Sequence, residues 1–376
     1  MQYRKSAQIF EVSANNSLYA QHDFWEATMH AFWLSLKERV SFIVRKFFAV
    51  LLLCIISSPV SAQIDTLNSS GVQPPIIDVH IHGDEPSWSV GPLCPNTPRW
   101  SASDPATKEA TFGGVATECS NFLMPAKSGK YVEKVAEEMR RLNVTGVVIA
   151  DEETIKKWKR LLPGKIIPAT SFQTGDYVRS IDEVRRDFEA NGFKVMGEIA
   201  LQYQGKSPSA PEYDAYFSLA EELDIPVAIH MGTGGAGRAN INAPNFRASM
   251  GDPFLLEDML ARHPKLRVYI MHAGYPMIDN LLALLGANSH VSVDIAGLIW
   301  SYPLVEVNAY IDRIVKAGFA DRIMFGSDQT TWPGLLSYSV SLIESADYLS
   351  SEQKRDILYN NAARFFRIEE PGHAGP

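Results

Sequence analysis

Four histidines and two carboxylates of this chain stand where short apolar runs come to an end. The stretch Ile76-Ile77-Asp78-Val79-His80-Ile81-His82-Gly83 is rich in β-branched residues and stops at a glycine, so it reads as a buried strand with both histidines at its exit. Side chains alternate along a strand, so His80 and His82 point the same way. Two such imidazoles can grip one metal ion, although a lone His-x-His also suits two polar residues at a strand end. Later runs add weight to the first reading. Glu198 lies late in Phe193 to Leu201, His230 ends the run Ile225 to Gly232, His272 ends Leu266 to Gly274, and Asp328 ends Arg322 to Asp328.

These runs need a scaffold that brings their ends together. Helical patterns and short apolar runs alternate along the chain: the runs at 145–150, 165–172 and 291–295 complete a set of eight, each followed by a helical pattern. Eight such units over roughly 300 residues suit an α/β fold of the (β/α)8 TIM-barrel type, with a doubly wound open sheet as the alternative. In a closed barrel the strand ends meet on one face, and the six candidate residues converge there. Residues 84–127 form a long Pro/Gly/Ser-rich loop insertion after strand one, read as a lid over that end. It carries Trp88, Trp100, Cys94 and Cys119; the two cysteines suit either a disulfide staple or two separate thiols.

The 376 residues are 46% hydrophobic and 21% charged, enough for a sizeable core, and the net charge of -8 argues against nucleic acid as a primary partner. Residues 1–62 read as a leader. Lys37, Arg39, Arg45 and Lys46 precede the apolar run Phe47 to Ile56, and Val60 and Ala62 suit a cut after Ala62. That apolar core is shorter than the ~20 residues of a membrane span, so the expectation is a secretory signal peptide, no stable membrane span, and a periplasmic or secreted protein. Residues 63–75 follow as a linker, 76–368 as a single barrel domain and 369–376 as a tail.

His80-Ile81-His82, Ile229-His230, Met271-His272-Ala273-Gly274, Gly326-Ser327-Asp328 and the closing Asn360-Asn361-Ala362-Ala363-Arg364-Phe365-Phe366 together resemble the amidohydrolase superfamily, in particular its amidohydrolase-related branch. The resemblance covers about Ile76 to Ile368. It implies a divalent metal held by His80, His82, His230 and Asp328, with His272 close beside it. Three imidazoles and one carboxylate with room for water suit zinc, with manganese as the alternative, and one ion per subunit. Asp328 would take a proton from that water and pass it to the leaving group, and His272 would polarise the substrate carbonyl. One departure from the branch stands on strand four. Many two-metal members carry a lysine there, whereas this chain has Gly197-Glu198-Ile199, so Glu198 either bridges a second ion held by His230 and His272 or orients a ligand imidazole.

The expected activity is hydrolysis of a small amide, ester or lactone. A metal-dependent carboxy-lyase of the same branch is the alternative, and a secreted binding barrel without turnover is a third reading. Arg238, in the glycine-rich loop after strand five, is placed to clamp a substrate carboxylate. Trp300 and Trp332 are candidates for the pocket wall or for rim packing. His263 and His290 carry no expected role in catalysis. The expected partner is a small-molecule substrate, and assembly into a homo-oligomer is left open.

Overall fold

The computed structural model describes residues 73–86, 91–97, 119, 121–235, 237–241 and 243–368. The leader, the tail, Trp88 and Trp100 lie outside the described residues. The chain divides into two units, Met1–Gly71 and Val72–Pro376, and all described residues belong to the second.

Eight strands form one sheet in chain order: β1 (Ile76–His82), β2 (Val144–Ile149), β3 (Ile166–Thr170), β4 (Val195–Ile199), β5 (Val227–His230), β6 (Val268–Met271), β7 (Val291–Asp294) and β8 (Ile323–Met324). Neighbouring strands pair in parallel, as short apolar runs buried on both faces should. The order is sequential, which is the barrel and not the doubly wound sheet. β8 is shorter than the apolar run suggests because residues after Met324 leave β7 and turn to β1. Val79 N donates to Phe325 O (2.9 Å), His82 N donates to Gln329 O (2.9 Å), and Ile81 bridges Gln329. These bonds close the barrel at the seam between the first and last strands.

Helices follow the strands and cover the outside. They include α1 (Tyr131–Arg141), α2 (Glu152–Leu161), α3 (Ile181–Glu189), α4 (Asp214–Glu222), α5 (Glu257–Arg262), α6 (Ile278–Ala287), α7 (Leu304–Ile314) and α8 (Gly334–Glu344). Local chemistry fixes several of their starts. The Asp151 carboxylate accepts from Thr154 N, and Ser180 with Glu183 forms a reciprocal capping box. Each helix turns an apolar stripe inward, such as Tyr131, Val132, Val135, Ala136 and Met139 of α1.

Inside the barrel, Ile77, Val79, Val147, Ala169, Val195, Ala228, Tyr269, Met271 and Met324 form a second apolar cluster. A final helix, α9 (Asn361–Phe366), closes the strands' N-terminal end. Phe365 and Phe366 set their edges against Tyr269 at centroid distances of 5.6 and 6.0 Å, and Arg267 at the foot of β6 donates to Phe365 O. At the other end, the described parts of the insertion after β1 are tied down. Cys94 and Cys119 form a disulfide, which decides between the two expectations for them. Leu93 pairs with Leu123, Ala126 N donates to Thr331 O, and Trp332 Nε1 donates to Gly91 O. Asn96 Nδ2 donates to the carbonyls of Ile299 and Tyr302, at the end of the short helix Leu298–Ser301.

Candidate metal centre

Simple alternation brings only one of the six donors inward. On β5, Val227 and Ile229 face the helices while Ala228 faces the barrel interior, so His230 is aimed at the axis by its position alone. On β1, Ile77 and Val79 face inward, and alternation would continue with Ile81. The register with β2 shifts between Asp78 and Ile81, Ile81 packs outward, and His80 and His82 take the inward side. β4 repeats the device: the register with β5 shifts between Met196 and Ile199, Val195 faces in, Ile199 faces out, and Glu198 reaches the centre. Such bulges re-aim side chains next to functional sites. His272 and Asp328 lie just past their strands, and each has a left-handed backbone, φ 58° and 53°. Non-glycine residues rarely adopt that conformation, and it clusters at functional sites.

The donor atoms meet in two groups. His80 Nε2 lies 3.3 Å from His82 Nε2, and Asp328 Oδ1 lies 3.1 Å from His82 Nε2 and 3.6 Å from His80 Nε2. His272 Nε2 lies 3.1 Å from His230 Nδ1. Glu198 stands between the groups. Its Oε2 faces His80 and His82 at 3.7 and 3.5 Å, and its Oε1 contacts His230 Nδ1 and lies 3.7 Å from His272 Nε2.

The outer nitrogens of these rings are already engaged, which fixes the face each ring offers. His80 Nδ1–H points to Asp294 Oδ2 (3.3 Å), His272 Nδ1–H to Ala296 O (2.7 Å), and His230 Nε2 meets the Tyr203 hydroxyl (2.9 Å). The inner nitrogens are therefore turned towards one another at a little over 3 Å, where each ring offers a lone pair once it is neutral. Ligand atoms bonded to one ion at ~2.0–2.2 Å are spaced by about that much, so the set fits a divalent metal by chemistry and by spacing. Three further observations agree. Gly297 has φ 65°, and a Cβ there would come within 2.8 Å of Asp328 Oδ2 and 2.9 Å of His272 Nδ1. Gly197 packs so closely on Ala228 that a Cβ would lie 2.4 Å from the Ala228 Cβ. Trp300 Nε1 donates to Ser327 O (2.8 Å), next to Asp328.

Charge is tightly balanced among these groups. Burial opposes a charge on His80, but Asp328, Asp294 and Glu198 outweigh it and raise its pKa well above the ordinary imidazole value. Burial would raise Glu198, yet His230, His272 and His80 hold it well below the usual carboxylate range. Asp328 is likewise lowered, against burial, by His80, His82 and His272. Burial and the neighbouring His272 bring His230 down to about 4. Burial lowers His272 too, but Glu198 and Asp328 reverse that and raise it.

Arg238 sits one residue further out. Its guanidinium carbon is 4.6 Å from the centre of the Tyr203 ring, whose hydroxyl meets His230. Trp300 and Trp332 act in packing: their rings meet edge-on at 6.1 Å, and each holds a backbone carbonyl. His263 is buried between outer helices against Asp214 (3.0 Å), and His290 precedes β7 at the barrel's far end. Three residues of the site were not expected from sequence: Asp78, Asp294 and Tyr203. An acid inside the apolar runs Ile76 to Ile81 and Val291 to Ile295 was a visible signal for the two aspartates, because buried carboxylates are retained only where partnered. Tyr203, in the turn after β4, carried none.

The family model for "Amidohydrolase" matches residues 77–368. No curated protein matches the sequence. Among solved structures, an uncharacterised TIM-barrel protein from Bordetella bronchiseptica is similar, at 16% identity over 78% of this chain and 99% of that one, with a TM-score of 0.54. A second, titled amidohydrolase II, shows 15% identity over 78% and 99%, with a TM-score of 0.50. A third, titled a putative 2-pyrone-4,6-dicarboxylic acid hydrolase, from Pseudomonas putida, shows 17% identity over 80% and 100%, with a TM-score of 0.49.

Proposed function

The chain belongs to the amidohydrolase family, and from that premise we propose that it is a metal-dependent hydrolase that uses water on a small amide, ester or lactone. The observation that carries the reading is the division of Glu198, one oxygen towards His80 and His82 and the other towards His230 and His272. This favours two ions. His80, His82, Asp328 and Glu198 would hold the first, and His230, His272 and Glu198 the second. Zinc is the first choice and manganese the second, from the imidazole and carboxylate donors. When bound, the metal supplies Lewis acidity that makes a water acidic near neutrality and polarises a carbonyl.

The residues supply the rest. Asp328, held in its charged form by the histidines beside it, is the base that takes the proton from water and returns it to the leaving group. Its left-handed backbone and the Trp300 bond to Ser327 keep the carboxylate at that place. In a single-ion arrangement His272 is left to polarise the carbonyl; with two ions it is a ligand. Arg238, laid on Tyr203 beside His230, is the group that would anchor a substrate carboxylate. The same feature favours the second reading, a carboxy-lyase, in which the substrate's carboxylate would be the group removed.

Elemental analysis of the purified chain tests the metal reading. Two ions per chain are expected, with no first ion in a variant carrying both His80→Ala and His82→Ala; full metal content in that variant overturns the reading. A screen of the zinc- and manganese-loaded protein against lactones, N-acyl compounds, cyclic amides and carboxylic acids then identifies the chemistry, and release of carbon dioxide in place of a hydrolysis product selects the carboxy-lyase. We also propose export. The signal-like leader and the Cys94 to Cys119 disulfide, a bond that persists in oxidising compartments, support this. A mature exported protein beginning at Gln63 is expected, and one that retains residues 1–62 would count against it.

A further inference from the structure

We propose that two aspartates buried beneath the donors, Asp78 and Asp294, are positioning residues that brace the irregular backbone at which the donors are aimed, and that Asp294 also fixes the ring of His80. The inference rests on the proposed metal centre.

The irregular points that turn His80, His272 and Asp328 inward, and the left-handed Gly297 beside them, each free a backbone N–H from the regular ladders. His80 N is released by the bulge of β1, and His272 N by that residue's own left-handed turn. Ser327 N precedes left-handed Asp328, and Ala296 N precedes left-handed Gly297. A buried N–H must find an acceptor, and all four find one of the two carboxylates. Asp78 Oδ1 accepts from His80 N and from Ser327 N, both at 3.0 Å. Asp294 Oδ1 accepts from His272 N at 2.7 Å and from Ala296 N at 3.0 Å. Both aspartates are fully buried. Each therefore ties a donor-bearing turn to a neighbouring strand: Asp78 ties β1 to the turn after β8, which carries Asp328, and Asp294 ties β7 to the turn after β6, which carries His272.

The two braces differ in one respect. The second oxygen of Asp294 lies 3.3 Å from His80 Nδ1, while His80 Nε2 faces His82, so Asp294 meets the side of the ring turned away from the proposed first ion. It holds His80 as the Nδ1–H form, with the Nε2 lone pair inward. No imidazole nitrogen is hydrogen-bonded to Asp78 among the described residues. An asparagine at 78 keeps an amide oxygen for both N–H groups. An asparagine at 294 keeps those two bonds as well, but sets an amide N–H against the His80 Nδ1–H, donor facing donor.

The test compares Asp78→Asn, Asp78→Ala, Asp294→Asn and Asp294→Ala in the full chain. Zinc affinity is read by competition with a chromophoric chelator, site geometry by the visible bands of the cobalt-substituted protein, and folding by thermal melting. Asp294→Asn is expected to weaken zinc ~10–100-fold and to move the cobalt bands, while Asp78→Asn leaves affinity within a few-fold and the bands unmoved; both alanine variants lose zinc. Unchanged affinity and spectrum in Asp294→Asn, or an equal loss in both asparagine variants, overturns the proposal. If Asp294→Asn does not fold, nitrogen-15 histidine NMR of the metal-loaded wild type decides. His80 protonated at Nδ1 supports the proposal and His80 protonated at Nε2 overturns it. Wild-type protein that takes up no metal overturns the metal centre itself, a result that cannot be confused with the others.

Discussion

The two ends of the barrel are built from the same strands and follow opposite rules. At the end closed by α9, the interior is apolar and regular: Tyr269 is fully buried, Phe365 and Phe366 pack on it, and its hydroxyl donates to Val79 O at 3.0 Å. At the other end, the interior is filled with imidazoles and carboxylates, and the backbone is bulged or left-handed at almost every donor. Burying charge and bending strands both cost stability. The comparison teaches that one end of the barrel is organised for stability and the other for chemistry, and that changes at each should have separable effects.

The sharpest separation is expected from Asp328→Asn. Asparagine tolerates the left-handed φ that Asp328 adopts and retains an oxygen towards the metal, but it cannot take a proton. Turnover should fall by ~10²–10⁴ with melting temperature unchanged; rates that survive intact would sink the assigned role. Tyr269→Ala should do the reverse. Removing a fully buried aromatic ring costs ~3–5 kcal/mol, seen in denaturant titrations, while the folded fraction keeps wild-type metal stoichiometry. Cutting the disulfide by Cys94→Ser with Cys119→Ser, which opens a link across a sequence separation of 25, should cost up to ~3 kcal/mol. Since both cysteines lie in the insertion, metal content should hold; metal loss would show that the insertion helps to shape the donor end. Gly297→Ala forces a methyl against Asp328 and His272 and should lower zinc affinity with a stability cost of ~1–3 kcal/mol.

The smallest effect is the release of protons. Near neutrality His80 carries a proton that a metal must displace, because its pKa is raised, whereas His230, brought down to about 4, is already neutral. Metal affinity should therefore rise with pH, and uptake in weakly buffered solution should release a proton from His80, a further share from His272, whose pKa is also raised, and none from His230. Affinity that stays flat between about pH 6 and 8 would contradict this.

Much of this arrangement was legible in sequence, for physical reasons. Parallel strands buried on both faces appear as continuous apolar runs, so the eight strands and their helices could be read in order. His230 was fully legible, since plain alternation aims it. The stations of His80, His82 and Glu198 could be read as well. Their aim could not, because an inserted residue reverses which side of the strand faces in, and a bulge leaves no mark in the hydrophobic pattern. The run through Phe325 to Asp328 looked like strand, yet it departs from β7 to bond across the seam, a choice set by β1 and not by local residues. Asp78 and Asp294 each accept from one N–H two residues on and from one distant in sequence, Ser327 N and His272 N, and no local pattern encodes the distant partners. Whether Cys94 and Cys119 would pair depended on how residues 91–97 and 121–126 pack against the loops after β7 and β8.

For the proposed metal centre, the seam has a consequence for when the protein becomes able to choose an ion. Asp78 and Ser327, which the seam joins, are 249 positions apart. A chain emerging from the ribosome, or threading across a membrane, offers His80 and His82 early but lacks Asp328 until the last strand has arrived. Two imidazoles on an open strand hold metal weakly and with little discrimination. Selection among ions thus falls to the finished barrel, in whichever compartment the first strand finally meets the last.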